Sequence, residues 1–164
     1  MKTKSNRMRS KKKTRHHRPH MQLFGGKGSA GRAPPTLIIP IFIHMLNTIK
    51  LYHWKTTSYS THKATDQLYS DLNEKIDEFV EILLGKPNIS ISKRNELLNV
   101  KLIKLQQYNN NEEFKKQIEI YKVFLMNLST NKSFNIPDNS DLINKRDELL
   151  ALMNQFLYLL TLQN

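Results

Sequence analysis

The 164-residue chain contains no cysteine. That absence excludes disulfides, thiolate metal sites and a cysteine nucleophile, so any metal it binds must be held by His, Asp and Glu. Acid is missing from one region: residues 1–32 hold 11 of the 26 Lys and Arg and no Asp or Glu, while 33–164 carries 15 basic and 14 acidic residues. The net charge of +12 is therefore concentrated in an N-terminal arm on a nearly neutral body. Long apolar runs are missing too. Leu37 to Ile43, with Pro40 inside it, falls far short of the roughly 20 residues a membrane span needs. The basic start is not followed by the apolar stretch and small-residue cleavage site of a signal peptide. The sequence thus predicts an intracellular soluble protein, of cytoplasm, nucleus or virion, without a membrane partner.

What is present reads as an arm and one helical body. Residues 1–35 combine Lys11, Lys12, Lys13, Arg15 and Arg18 with His16, His17 and His20 and the stretch Gly25-Gly26-Lys27-Gly28. Such a segment buries too little apolar surface to offset its ordering entropy and is expected to be disordered. From Thr36 the spacing turns helical: Ile38, Ile41, Phe42, Met45, Leu46, Ile49, Tyr52 and His53 share a face, ending near Thr57. A second helix is predicted over about 58–84, with Leu68, Leu72, Ile76, Phe79, Val80 and Leu83 inward and Gly85-Lys86-Pro87 as its stop. Residues 88–109 read as a long connection, alternating like a strand at Val100 to Leu105 yet also compatible with a short helix. Asn110 and Glu113 suggest a capping box before Phe114, Ile118, Tyr121, Leu125 and Leu128. Ser140 suggests the cap of a last helix with Leu142, Leu149, Leu150, Met153, Phe156, Leu157 and Leu160 inward. The expectation is an all-α, ferritin-like four-helix bundle over 36–164 with one long middle connection.

The second helix also carries His62, Asp66, Asp77 and Glu81 within an arc of about 100°, with His53 just upstream. His62/Asp66 and Asp77/Glu81 are centred about 22 Å apart along a helix, so one chain cannot bring all four together. The positions 62 and 81 and the positions 66 and 77 have the same midpoint. A two-fold antiparallel crossing of two copies would therefore face His62 with Glu81 and Asp66 with Asp77, giving two identical sites per dimer. Imidazole plus carboxylate suits Fe(II), Zn(II) or Mn(II). The same stripe also reads as the solvated outer face of an amphipathic helix. His44 lies on the opposite side of the first helix from His53 and reads as a packed or surface residue. Tyr121, Phe156 and Tyr158 read as core, and Asp141, Arg146, Asp147 and Glu148 as charges that suit a helix start and pair along it.

The stretch Tyr52-His53-Trp54, His62-x-x-x-Asp66, Asp77-x-x-x-Glu81 resembles the signature of the Dps mini-ferritins, with a His53-to-His62 interval shorter than the family's usual one. The text around 59–69, 77–86 and 146–160 is similar to Dps-like proteins of phages and large DNA viruses. The resemblance implies a ferritin-like fold and an iron site shared across a two-fold interface, with His53, His62 and Asp66 from one chain and Asp77 and Glu81 from its mate. It further implies that Glu81 bridges the metals, that Trp54 is a neighbour, and that Fe(II) is oxidised by peroxide or oxygen.

The arm suits a polyanion, because each phosphate contacted releases counterions and adds sequence-independent affinity. With Phe24 its only aromatic, base stacking is not expected. Nucleic acid is the expected partner of Lys11, Lys12, Lys13, Arg15 and Arg18; localisation, solubilisation and threading between neighbouring subunits stand as alternatives. A non-enzymatic structural or DNA-packaging role on the same bundle is the alternative to iron oxidation.

Overall fold

In a computed structural model, residues 35–130 and 139–162 are described. The five arm cations named above lie outside these residues. Among the described residues the chain is all helical. A 3-10 turn, Pro35–Leu37, leads into α1 (Ile38–Lys55), α2 (Tyr59–Gly85), the short α3 (Ile91–Leu98), α4 (Asn111–Thr130) and α5 (Ser140–Thr161). No described helix is long and apolar enough to cross a membrane.

Local chemistry sets most of these boundaries. Ser58 accepts the Thr61 N–H at 3.3 Å to cap α2, and Ser90 accepts the Lys93 N–H at 3.2 Å to cap α3. Pro87 forces Lys86 into extended backbone (ψ 137°), and α2 stops. Asn110 caps α4 through the Glu113 N–H at 2.9 Å, but the Glu113 carboxylate reaches back to the Asn109 N–H rather than to Asn110. At α5 the expected Ser140 cap is instead the first helical residue, and the Asp141 carboxylate accepts the Leu142 N–H at 2.8 Å.

α2 packs between α1 and α5, and α5 between α2 and α4. The ring closes because α4 also touches α1: Tyr121 reaches His44, Phe124 lies edge-on to Phe42, and Tyr52 stacks on Phe114 at 4.0 Å. Each neighbour is antiparallel. The C-terminal end of α2 meets the start of α5 at Lys86–Asp141, and the start of α4 meets the C-terminal part of α5 at Phe114–Phe156. The parallel pair α2 and α4 must therefore be joined by a connection running the length of the molecule, and 86–110 does this. α3 packs on the 3-10 turn at one end. Residues 99–110 then cross to the other end, where Asn109 accepts from Lys55 Nζ at 2.8 Å.

The core is continuous through all four long helices, with Phe42, Met45, Ile49, Leu72, Phe79, Phe114, Ile118, Leu125, Leu149 and Met153 fully buried. Each such side chain contributes about 1.5–3 kcal/mol relative to an exposed one. Two expectations differ. Tyr158 is exposed, because it lies about 160–200° around α5 from the buried Phe156 and Leu160. Arg146, read as a charge that pairs at i,i+4 along the helix, instead pairs with the adjacent Asp147 (Nη2 at 3.2 Å) and is buried along its stem, with an Nε that has no hydrogen-bond partner.

Candidate metal centre

Only Thr56, Thr57 and Ser58 separate α1 from α2, so the last turn of α1 lies against the first turn of α2. His53 and His62 meet there, their rings stacked 3.9 Å apart with 25° between planes. The contact is reciprocal: His53 Nδ1 is 3.1 Å from the His62 carbonyl, and His62 Nδ1 is 3.0 Å from the His53 carbonyl. A carbonyl oxygen only accepts, so each Nδ1 carries the proton and each neutral ring keeps its lone pair on Nε2. This is the arrangement in which a histidine serves as an Nε2 ligand while its other nitrogen is held by the main chain.

Two further residues fix the pair. The Thr65 hydroxyl shares its one proton between the Thr61 carbonyl at 2.8 Å and the His62 carbonyl at 3.0 Å, and its oxygen takes a share of the His53 Nδ1 proton at 3.3 Å. Asn111, at the start of α4, accepts from Tyr52 OH at 2.7 Å and donates to Thr61 Oγ1 at 3.3 Å. It thereby ties together the residues that precede the two histidines. His53 is buried at 6 % exposure, and His62 is half-buried.

Asp66, one turn along α2, brings Oδ1 to 3.7 Å from His53 Nε2 and 3.8 Å from Lys50 Nζ. Lys50 also lies over the Tyr69 ring at 4.6 Å and the Trp54 ring at 5.8 Å. Trp54 itself is 70 % exposed. Three of the five expected ligands, His53, His62 and Asp66, are thus adjacent. Asp77 and Glu81 are exposed on the same helix three to four turns further on. Among the described residues of one chain, no three His, Asp or Glu side chains are arranged to hold a metal ion. A shallow groove of about 380 Å³ between α2 and α5, lined by Asp71, Glu74, Lys75, Glu148, Ala151 and Leu152, contains no imidazole and lies apart from the pair.

His44, the other histidine of α1, is 3 % exposed and lies inside the α1–α4 contact. Its Nδ1 is 2.8 Å from Tyr121 OH, which lies 2.9 Å from Thr48 Oγ1. Burial lowers the His44 pKa, against a smaller opposite effect of the Lys104 main chain, which passes nearby while Nε2 makes no hydrogen bond of good geometry. Burial likewise pushes the Tyr121 phenol up, and Tyr108, bonded to Gln117 Oε1 at 2.8 Å, up to about 12. Sequence spacing pointed to neither Asn111 nor the His44–Tyr121 pair, since both join residues 50 or more positions apart.

No curated protein and no solved structure matches the chain. Residues 53–160, a span that opens on His53 and takes in His62, Asp66, Asp77 and Glu81, match a family of unknown function (DUF5856), and the chain belongs to that family.

Proposed function

We propose that this is a ferritin-like, Dps-like protein that takes up Fe(II) as substrate at a site completed by a second copy, and that contacts nucleic acid through its basic arm. The observation that carries the metal reading is the reciprocal bonding of His53 and His62, which sets both Nδ1–H tautomers and keeps both Nε2 lone pairs for a ligand beside Asp66. The four long helices with one long crossover between the second and third of them agree with a ferritin-like arrangement.

In this reading His53, His62 and Asp66 form a half-site. The two-fold crossing of α2 supplies Asp77 and Glu81 from the mate, with Glu81 bridging two irons. The carboxylates neutralise the cations and favour the ferric product. Peroxide or dioxygen is the electron acceptor. Zn(II) or Mn(II) fits the same donor set.

The test is anaerobic Fe(II) titration of the full chain beside Glu81→Ala and Asp77→Ala, with molar mass from light scattering. Saturable binding lost in both variants, in a dimer or larger assembly, is the expected result. No binding by folded wild-type protein defeats the iron reading.

One observation favours a second reading, a non-enzymatic structural or DNA-packaging protein. His53 and His62 already satisfy each other within one hairpin, so they serve equally as a clasp closing the α1–α2 turn. DNA binding without iron binding, by a protein whose His62→Ala variant is destabilised, would select it.

A further inference from the structure

The charges of the body are not mixed evenly. Most described lysines are neutralised: Lys50, Lys75, Lys86, Lys93, Lys115, Lys122 and Lys145 each lie within 4 Å of a carboxylate. Arg94, Lys101, Lys104 and Lys116 are exposed or half-exposed, and none is paired with a carboxylate of the described residues. Three of these four are on the connection 86–110, which holds five cations and a single acid, Glu96, itself bound to Lys93. The fourth, Lys116, follows Lys115 on α4 and flanks Gln117, the residue that Tyr108 of the connection bonds. α2, by contrast, has six carboxylates against two lysines. It packs on α1 and α5, while the connection lies over the α1–α4 side.

The connection also follows the body. The main chain of Lys104 passes His44, and Asn109 is bonded to Lys55. Those two points are 11 residues apart on α1, about 16 Å. The Lys55–Asn109 and Tyr108–Gln117 bonds anchor the end of the connection that follows Lys101 and Lys104. At the other end, α3, which carries Arg94, packs on the 3-10 turn Pro35–Leu37.

From this placement we infer that the α3-to-α4 connection is a second nucleic-acid contact, in which Arg94, Lys101, Lys104 and Lys116 bind the phosphate backbone of duplex DNA. The inference rests on the polyanion reading of the arm. Exposed cations without carboxylate partners fit a polyanion, and the acidic α2 turns the opposite side of the molecule away from it. The one aromatic of the connection, Tyr108, is held by Gln117 with its ring tilted against Phe114, so the contact is to phosphate and carries no base preference.

The experiment titrates a labelled mixed-sequence duplex with the full chain across a salt series. Wild type is compared with a variant in which Arg94, Lys101, Lys104 and Lys116 are all changed to Gln, and with one in which Lys11, Lys12, Lys13, Arg15 and Arg18 are. Thermal melts confirm that both variants are folded. The body variant is expected to bind at least about tenfold more weakly at low salt, with the slope of log K against log salt reduced by about 0.9 for each phosphate that is no longer neutralised. A body variant equal to wild type, beside an arm variant that is weakened, overturns the body contact and keeps the arm. An arm variant equal to wild type beside a weakened body variant does the reverse. Exposed Leu98, Leu102 and Leu105 lie among these cations. Binding to phosphatidylserine vesicles that exceeds duplex binding and is abolished by Leu102→Ser would overturn the nucleic-acid assignment in favour of a membrane surface.

Discussion

His44 and His53 sit nine residues apart on α1, on opposite sides of the same helix, and both are buried. They can share that burial because α1 is enclosed on two sides, by α2 on one and by α4 with the connection on the other. The side chains they meet decide what each can do. His44 meets the Tyr121 phenol, which also bonds Thr48, and burial disfavours its charged form. His53 faces main-chain carbonyl oxygen on one edge and Asp66 on the other, at the end of the bundle where the stripe of α2 is open to solvent. Identical residue types on one helix are thus divided into a structural partner and a candidate ligand by their second nitrogen: at His44 it is enclosed, and at His53 it is directed to a carboxylate.

The contrast breaks most readily on the core side. Tyr121→Ala removes a fully buried ring and leaves His44 and Thr48 without their common partner, and urea unfolding should register a loss of about 3–5 kcal/mol. Asn111→Ala should cost about 1–3 kcal/mol, since the Tyr52 hydroxyl and Thr61 lose their bridge. It should also loosen the His53–His62 stack, read as faster exchange of the two Nδ1 protons by NMR in metal-free protein, whereas Tyr121→Ala leaves that exchange unchanged.

Acid sharpens the same comparison. Because burial depresses the folded-state pKa of His44, the unfolded chain takes up the proton first. Stability contributed by neutral His44 is complete above the unfolded value near 6.5 and declines as the pH falls below it, by at most about 1.4 kcal/mol per pH unit. His44→Gln should flatten that part of the stability profile. The smallest effect belongs to Trp54→Ala, within about 0.5 kcal/mol, because the ring is mostly in solvent. Trp54 is the chain's single tryptophan, so its fluorescence serves to report events near Asp66.

Much of this was legible in the sequence. The inward faces of all four long helices follow from 3.6-residue spacing, and every position expected inward on α4, for example, is buried. The nearness of His53 and His62 follows from the short interval between two helices. The exchange of main-chain hydrogen bonds that sets their tautomers does not, because it depends on the angle at which α1 and α2 meet. Tyr121 announced itself as core but not as the partner of His44, a residue 77 positions away. The alternating stretch at 100–105 has a strand's pattern without a strand: it lies on the core along one side only, so Ile103 packs inward while Leu102 faces out. The helix that Ser90 caps is eight residues long, too short for periodicity to declare. Whether Asp77 and Glu81 complete the half-site is a question of assembly, which one chain's periodicity poses as a symmetric arithmetic and a second copy must answer.

The connection between α2 and α4 divides the molecule in a further sense. On one side of it is the hairpin α1–α2 with His53, His62, Asp66, Asp77 and Glu81; on the other is α4–α5, whose Asn111 bridges the residues beside the histidines. Nothing in 101–107 belongs to a helix, so a cut there severs no regular hydrogen-bond ladder and leaves two helical hairpins with complementary apolar faces. Expressed as separate fragments, they would have to find each other to restore the Tyr52–Asn111–Thr61 bridge, and the closed histidine clasp would then report the reunion of two halves.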